Sequence, residues 1–262
     1  LRHRKETYGL IFTAALLVCS VAGVSSALGE QNVIAIDPGH GGHSDSGSRA
    51  LDQYNRSEWN HARVSALNLV EGELTLELSK KIAAAIERQA AGKEGKVKAV
   101  LTRTEDVNPN FTERVATAAE AGAKMFVSIH FNAGGKTANG PVIVYQKKEN
   151  NPAYAADRAL ATALLAAVQN TTNRFDSTPS AVQFDDKDEH FTNKNKPYGS
   201  YLFYQARRNP KTQNIAVVYL EVEFLQTPRL ERVKKLFVDK RAEVFDAWAE
   251  SIAKVLVDKV QQ

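Results

Sequence analysis

The hydrophobic pattern of the chain switches repeatedly between two periods. Short apolar runs at Val33–Ile36, Ala99–Leu101, Phe126–Ile129, Val142–Tyr145 and Ala216–Val222 are bounded by Gly, Pro and polar residues and read as strands. Tyr201–Tyr204 reads as a further, weaker strand. Helical patterns fill the intervals. One spans Glu73–Ala91 and stops before Gly92. Another, Phe111–Ala121, follows Asn110, whose side chain can cap it while Glu113 reaches back, and it stops at Gly122. Tyr154–Asn173 is rich in Ala and Leu. A last helix starts near Asp239, where Val244, Trp248, Ile252 and Leu256 recur every fourth residue and form one apolar stripe. Strand–helix alternation of this kind predicts an α/β domain with a largely parallel sheet. Two stretches, 44–68 and 176–196, match no element; loops that long inside a domain are uncommon and often functional.

Composition narrows the chemistry. With 262 residues the chain holds one ordinary domain plus a short appendage. Hydrophobic residues at 43% and charged residues at 24% exclude wholesale disorder and coiled coil. Cys19 is the only cysteine, which excludes a disulfide scaffold and any Cys-ligated zinc or iron–sulfur site. A metal would have to be held by His and carboxylates. Of the net charge of +4, half comes from Arg2, Arg4 and Lys5 against Glu6, so the remaining body is nearly neutral and unsuited to gripping nucleic acid. Those basic residues precede an apolar stretch from Leu10 to Val24 and the small residues Ser25, Ser26 and Ala27. This is the pattern of a secretory signal, so residues 1–29 are expected to be a signal peptide and 30–262 the functional domain. The apolar stretch is shorter than the ~20 residues a spanning helix needs, so no stable membrane span is expected after cleavage; a retained anchor is the alternative. A mature chain without cysteine suits an oxidising compartment, the periplasm or cell envelope.

Ligands of α/β sheets collect at the carboxyl ends of strands. The first strand exits through Asp37-Pro38-Gly39-His40-Gly41-Gly42, a later one at His130 followed by Asn132, and the last at Glu221. If these strands are parallel neighbours, two imidazoles and a carboxylate meet at one edge. Catalytic zinc takes such ligands and keeps one position open for water. The competing readings are plain ones. A single His after a strand is usually a loop residue, and Glu221 could pair with Arg103 or Arg114. Glu223, two residues on, reads as a surface residue on the face of Glu221. Arg114 reads as a helix anchor, and Asn132 as a residue that bonds a loop or seats substrate. His43, His61 and His190 read as exposed, and Asp185–Glu189 as a solvated acidic face. Either Glu71 or Glu73, near a helix start, could add a carboxylate.

The ordered set Asp37-Pro38-Gly39-His40-Gly41-Gly42, Glu71 ahead of Leu76–Lys81, Leu101-Thr102-Arg103, Glu113-Arg114-Val115, Ser128–Ala133 and Leu220–Leu225 resembles the zinc-dependent N-acetylmuramoyl-L-alanine amidases of bacteria. The resemblance covers most of residues 33–257. It implies a central mixed sheet of about six strands flanked by helices, Zn²⁺ bound by His40, Glu71 and His130, and Glu221 as the catalytic carboxylate. It selects Glu71 over Glu73. It also implies hydrolysis of the amide between the lactyl group of N-acetylmuramic acid and L-alanine in peptidoglycan, for wall remodelling or daughter-cell separation. Asn132, Glu223 and Arg103 are candidates for contact with substrate or with the ligands. Alternatives are another zinc peptidase acting on wall peptides, and a non-catalytic peptidoglycan-binding protein, which the intact residue set disfavours. Two departures stand out: Glu223 where Gly is usual, and Gln226-Thr227 where Ser-Asn is common. Some relatives hold themselves off with an insert until a protein activator moves it. Ser180 and Gln183 predict a short helix through Ala181–Phe184 in 176–196, which makes Glu189 a candidate autoinhibitory ligand.

Overall fold

The first strand, Asn32–Pro38 (β1), lies inside the sheet and is apolar at nearly every position because both of its faces are covered. Ile34 and Ile36 face one core, Val33 and Ala35 the other. In a computed structural model the fold is described for residues 31–42, 63–92, 96–176, 183–185 and 201–262. The expected signal peptide, His43, His61, Glu189 and His190 lie outside these residues.

Around β1 the elements follow in chain order. A small hairpin, Arg63–Val64 (β2) and Leu69–Val70 (β3), turns through Asn68 in the left-handed region and closes the 44–68 stretch. Then come Glu71–Ala90 (α1), Val97–Leu101 (β4), Phe111–Glu120 (α2), Ala123–Ala133 (β5), Val142–Val144 (β6), Tyr154–Thr172 (α3), Gln183–Asp185 (β7), Tyr201–Arg208 (α4), Ala216–Gln226 (β8), Leu230–Lys234 (α5) and Arg241–Val260 (α6). A π turn over Lys235–Asp239 joins α5 to α6. The main sheet has six strands in the order β4-β1-β5-β8-β6-β7. The first four are mutually parallel, and β6 runs antiparallel to β8 with β7 parallel to β6. This is the α/β, largely parallel sheet that the pattern predicted, with the mixed, six-stranded character that the resemblance implied.

One core lies between the sheet and α1, α3 and α6; the other lies under α2 and α4. The stripe Val244, Trp248, Ile252 and Leu256 is fully buried. Trp248 sits among Phe131, Phe237 and Phe245 and donates its indole N–H to Thr172 Oγ1 at 2.9 Å. The capping box of α2 forms as read: Asn110 Oδ1 accepts from Glu113 N at 2.9 Å, and Glu113 Oε2 accepts from Asn110 N at 2.7 Å.

Two expectations are corrected. Tyr201–Tyr204 is not a strand; it opens α4, where Ala206 lies one helical turn beyond Leu202 and Phe203 and all three are buried on one face. Aromatic content mimicked a strand there, and the helical spacing won. Residues 183–185 are not helical either. They form β7, paired in register with β6 (Ile143↔Phe184), whose otherwise open edge supplies the backbone partners.

Truncating Trp248 to Ala removes the largest side chain of this core and should lower the unfolding free energy by about 3–5 kcal/mol, measured by urea titration. A loss below about 1 kcal/mol would contradict its central place.

Candidate metal centre

The chain leaves β1 through a tight loop. His40, Gly41 and Gly42 all have positive φ, at 55°, 110° and 67°. A non-glycine residue in that region is uncommon and persists where surrounding contacts enforce it. Here two buried arginines do so. Arg103 donates to the carbonyl oxygens of Pro38 (2.9 Å), Gly39 (2.9 Å) and Gly72 (2.7 Å), tying the loop to the start of α1. Arg114 donates to Pro38 O and His40 O, each at 2.8 Å, and to Asp37 Oδ1 at 2.7 Å. Burial first, and the neighbouring Arg114 charge second, bring the Arg103 pKa down to about 10, against the pull of Asp37 and Asp106. Neither guanidinium pairs with Glu221, so that reading falls away. Arg103 is engaged by main-chain carbonyls underneath the loop. Burial works to raise the pKa of Asp37, but the Arg114 charge and hydrogen bonds from Ser128, Thr102 and Arg114 outweigh it and hold the carboxyl below its usual range.

β5 lies between β1 and β8, and its residues 126, 128 and 130 share the face of Val33 and Ala35. Ser128 Oγ donates to Asp37 Oδ2 at 2.6 Å. Its single proton is thereby used, so the same oxygen accepts from His130 Nε2, 3.1 Å away. That assigns the imidazole proton to Nε2 and leaves the Nδ1 lone pair pointing at Glu71 Oε1, at 3.2 Å. Burial, the largest cause, pushes the His130 pKa down to about 4, so the ring is neutral near pH 7. Gly39 makes room for it: a Cβ there would fall 2.1 Å from His130 Cε1.

Glu71 is the first residue of α1. Its Oε1 accepts from Phe131 N at 2.9 Å and faces His40 Nε2 as well as His130 Nδ1, both at 3.2 Å. Burial favours protonation of Glu71, but the charge on His40, followed by the contacts with the two imidazoles, holds its pKa far below the usual carboxylate range. One ligand atom from each of His40, Glu71 and His130 lies within 4.8 Å of the others. Glu73, two residues on, is exposed and outside this group. Glu221 is the cross-strand neighbour of His130 and is buried. Its Oε2 has no hydrogen-bond partner. Burial, then the charge on Glu71, raises its pKa well above the usual range.

A carboxylate oxygen and an unprotonated ring nitrogen, both acceptors, thus face each other beside a second, unpartnered carboxylate. A cation among them resolves all three. The donor set of two imidazoles and a carboxylate suits zinc, so the residues fit the metal that the sequence pattern implied.

Glu223 is not the surface residue its spacing suggested. β8 carries an extra residue relative to β5 between the pairs His130↔Glu221 and Asn132↔Phe224, a bulge that breaks the alternation. Phe224 takes up packing with the core on the Tyr219 side, and Glu223 is fully buried. Its Oε1 accepts from Gly140 N (2.7 Å) and Phe224 N (2.8 Å), and its Oε2 from Arg232 at 2.8 Å. Arg232 also pairs with Asp176. Glu223 therefore ties the loop after β5 to β8, with its charge neutralised. Asn132 stands at the end of β5 with its Oδ1 bonded to Ala133 N at 2.7 Å. Ser128 and Tyr219 had no assigned role in the sequence reading; the signal available was their spacing of two from His130 and Glu221.

The family described as N-acetylmuramoyl-L-alanine amidase matches residues 34–254. The amidase CwlM of Bacillus licheniformis is 38% identical over 104 residues, 40% of this chain and 33% of that protein, so the match spans a third of the relative's length. The amidase AmiC2 of Nostoc punctiforme has a similar fold, with TM-score 0.54 and 22% identity over 89% of this chain and 99% of that one. The amidase Ami1 of Mycobacterium smegmatis does too, with TM-score 0.60 and 14% identity over 88% and 97%.

Because a Cβ at residue 39 would overlap the imidazole, Gly39→Ala should displace His130 and weaken zinc binding by at least about tenfold. Competition with a chromophoric chelator measures it; unchanged affinity in a folded variant would contradict the slot described above.

Proposed function

The chain belongs to the N-acetylmuramoyl-L-alanine amidase family, and on that premise we propose that it is a zinc-dependent hydrolase of peptidoglycan. Its substrate is the amide joining the lactyl group of N-acetylmuramic acid to L-alanine. The observation that carries this reading is the buried Glu221 carboxylate with an unpartnered oxygen, set beside the His40–Glu71–His130 donor group.

His40, Glu71 and His130 would hold the metal. When bound, zinc polarises the carbonyl as a Lewis acid and brings the pKa of its water down to about 7. The remaining work belongs to the chain. Ser128, fixed by Asp37, keeps the His130 proton on Nε2 and so keeps Nδ1 available. Phe131 N and the start of α1 fix Glu71. Glu221 accepts the proton of the attacking water as its oxygen bonds to the carbonyl carbon. It then delivers a proton to the alanine nitrogen as the C–N bond breaks, leaving a carboxylate on the lactyl group and a free amine on the peptide. Burial, and then the Glu71 charge, raise the proton affinity of Glu221. With a cation held by His40, Glu71 and His130, the Glu71 charge would be offset and Glu221 would be favoured as a carboxylate able to act as base. Residues 1–29 direct export to the periplasm or cell envelope, where the substrate lies. None of the helices among the described residues is long and apolar enough to cross a membrane.

Glu221→Gln should retain stoichiometric zinc and lose turnover by ~10²–10⁴-fold, because an amide cannot take the proton. His130→Ala should lose both metal and activity, and chelation should abolish activity reversibly. Metal analysis alongside dye release from labelled peptidoglycan separates these outcomes. A Glu221→Gln enzyme with wild-type turnover would show that the base has been misassigned.

A further inference from the structure

The Tyr219 ring stacks on the His130 imidazole, with centroids 3.9 Å apart and planes within 17°. Tyr219 is on β8, Gly39 follows β1, and β5 lies between those strands, so the two flank the imidazole from opposite sides. Gly39 fits against one side only because it has no Cβ. On the ring edges, Nδ1 faces Glu71 and Nε2 faces Ser128. The contacts at its two nitrogens set the imidazole's direction within its plane. Such in-plane contacts restrain tilting of the ring only weakly, whereas a flat surface packed against its face restrains it directly. Tyr219 is itself buried, in the core under α2 and α4, so the platform is rigid.

We propose that Tyr219 is a positioning residue for the metal ligand, holding the His130 plane so that Nδ1 is aimed for coordination. The inference rests on the zinc reading above. The ring also favours the bound state. An imidazole that donates its lone pair to a divalent cation becomes electron-poor, and the electron-rich face of Tyr219 attracts such a ring more strongly than a neutral one. The stack therefore contributes to metal affinity, and the aromatic face supplies that contribution, independent of the hydroxyl.

Three proteins test this: wild type, Tyr219→Phe and Tyr219→Leu. Each is titrated with Zn²⁺ against a chromophoric chelator, and the visible spectrum of its Co²⁺ form is recorded. Tyr219→Phe should bind zinc within about threefold of wild type and give the same cobalt spectrum. Tyr219→Leu should bind at least about tenfold more weakly, with altered band positions, while its metal-free circular dichroism matches wild type. If Tyr219→Leu does not fold, Tyr219→Met, unbranched and similar in length, replaces it under the same expectation. Equal zinc affinity and an unchanged cobalt spectrum in the folded non-aromatic variant would overturn the proposal. So would Tyr219→Phe behaving like Tyr219→Leu, since the hydroxyl would then carry the effect. A wild-type protein that binds no zinc would instead overturn the metal reading on which the proposal stands.

Discussion

The ion pair between Asp37 and Arg114, 2.7 Å apart with both side chains almost wholly buried, fixes the carboxyl end of the sheet. A buried pair stabilises only when further hydrogen bonds complete both partners, and these two are extensively completed. Asp37 accepts from Thr102 and Ser128 as well as Arg114; Arg114 also reaches Pro38 O and His40 O. Two consequences follow. The left-handed backbone at His40 is held in place, which brings its imidazole to Glu71. And Ser128 is left with its lone pairs for His130, which decides the tautomer of the second imidazole. One charge pair, set by residues 77 positions apart in sequence, thus positions two candidate ligands at once.

The prepared site is electrostatically incomplete by itself. Glu71 and Glu221 are buried and close enough that the charge on one raises the proton affinity of the other, and His130 is neutral with its free nitrogen toward Glu71. Buried carboxylates are ordinarily paired or protonated. The chain satisfies Glu223 in the usual way, with Arg232 and two main-chain amides, only two residues from Glu221. The contrast between these neighbours separates structure from chemistry: Glu223 has its partners built in, and Glu221 has an oxygen held open.

Much of this was legible in the sequence because it is local. The exit of β1 at His40 follows from a short apolar run ending in Pro and Gly, and the α2 cap from Asn110 and Glu113; His130 and Glu221, expected at strand exits, lie within β5 and β8, which run on to Ala133 and Gln226. What sequence could not show is what depends on register. The run Ala216–Gln226 is apolar almost throughout, so nothing in it marks the bulge that removes Glu223 from the alternation. Tyr201–Tyr204 has the composition of a strand and the burial of a helix. The clamp by Arg103 spans 31 to 65 positions, and the stacking of Tyr219 on His130 needs the order of strands in the sheet, which periodicity does not give. Glu71 was separable from Glu73 by family likeness; physically, the difference is that the first residue of α1 turns back toward the loop and the third points to solvent.

The most direct measurement is mass spectrometry of purified peptidoglycan digested by the zinc-loaded protein. The account predicts stem peptides with a free amino group on L-alanine, and glycan strands whose muramic acid ends in a free lactyl carboxylate. Products in which L-alanine remains joined to muramic acid, with the cut inside the peptide or the glycan, would contradict it.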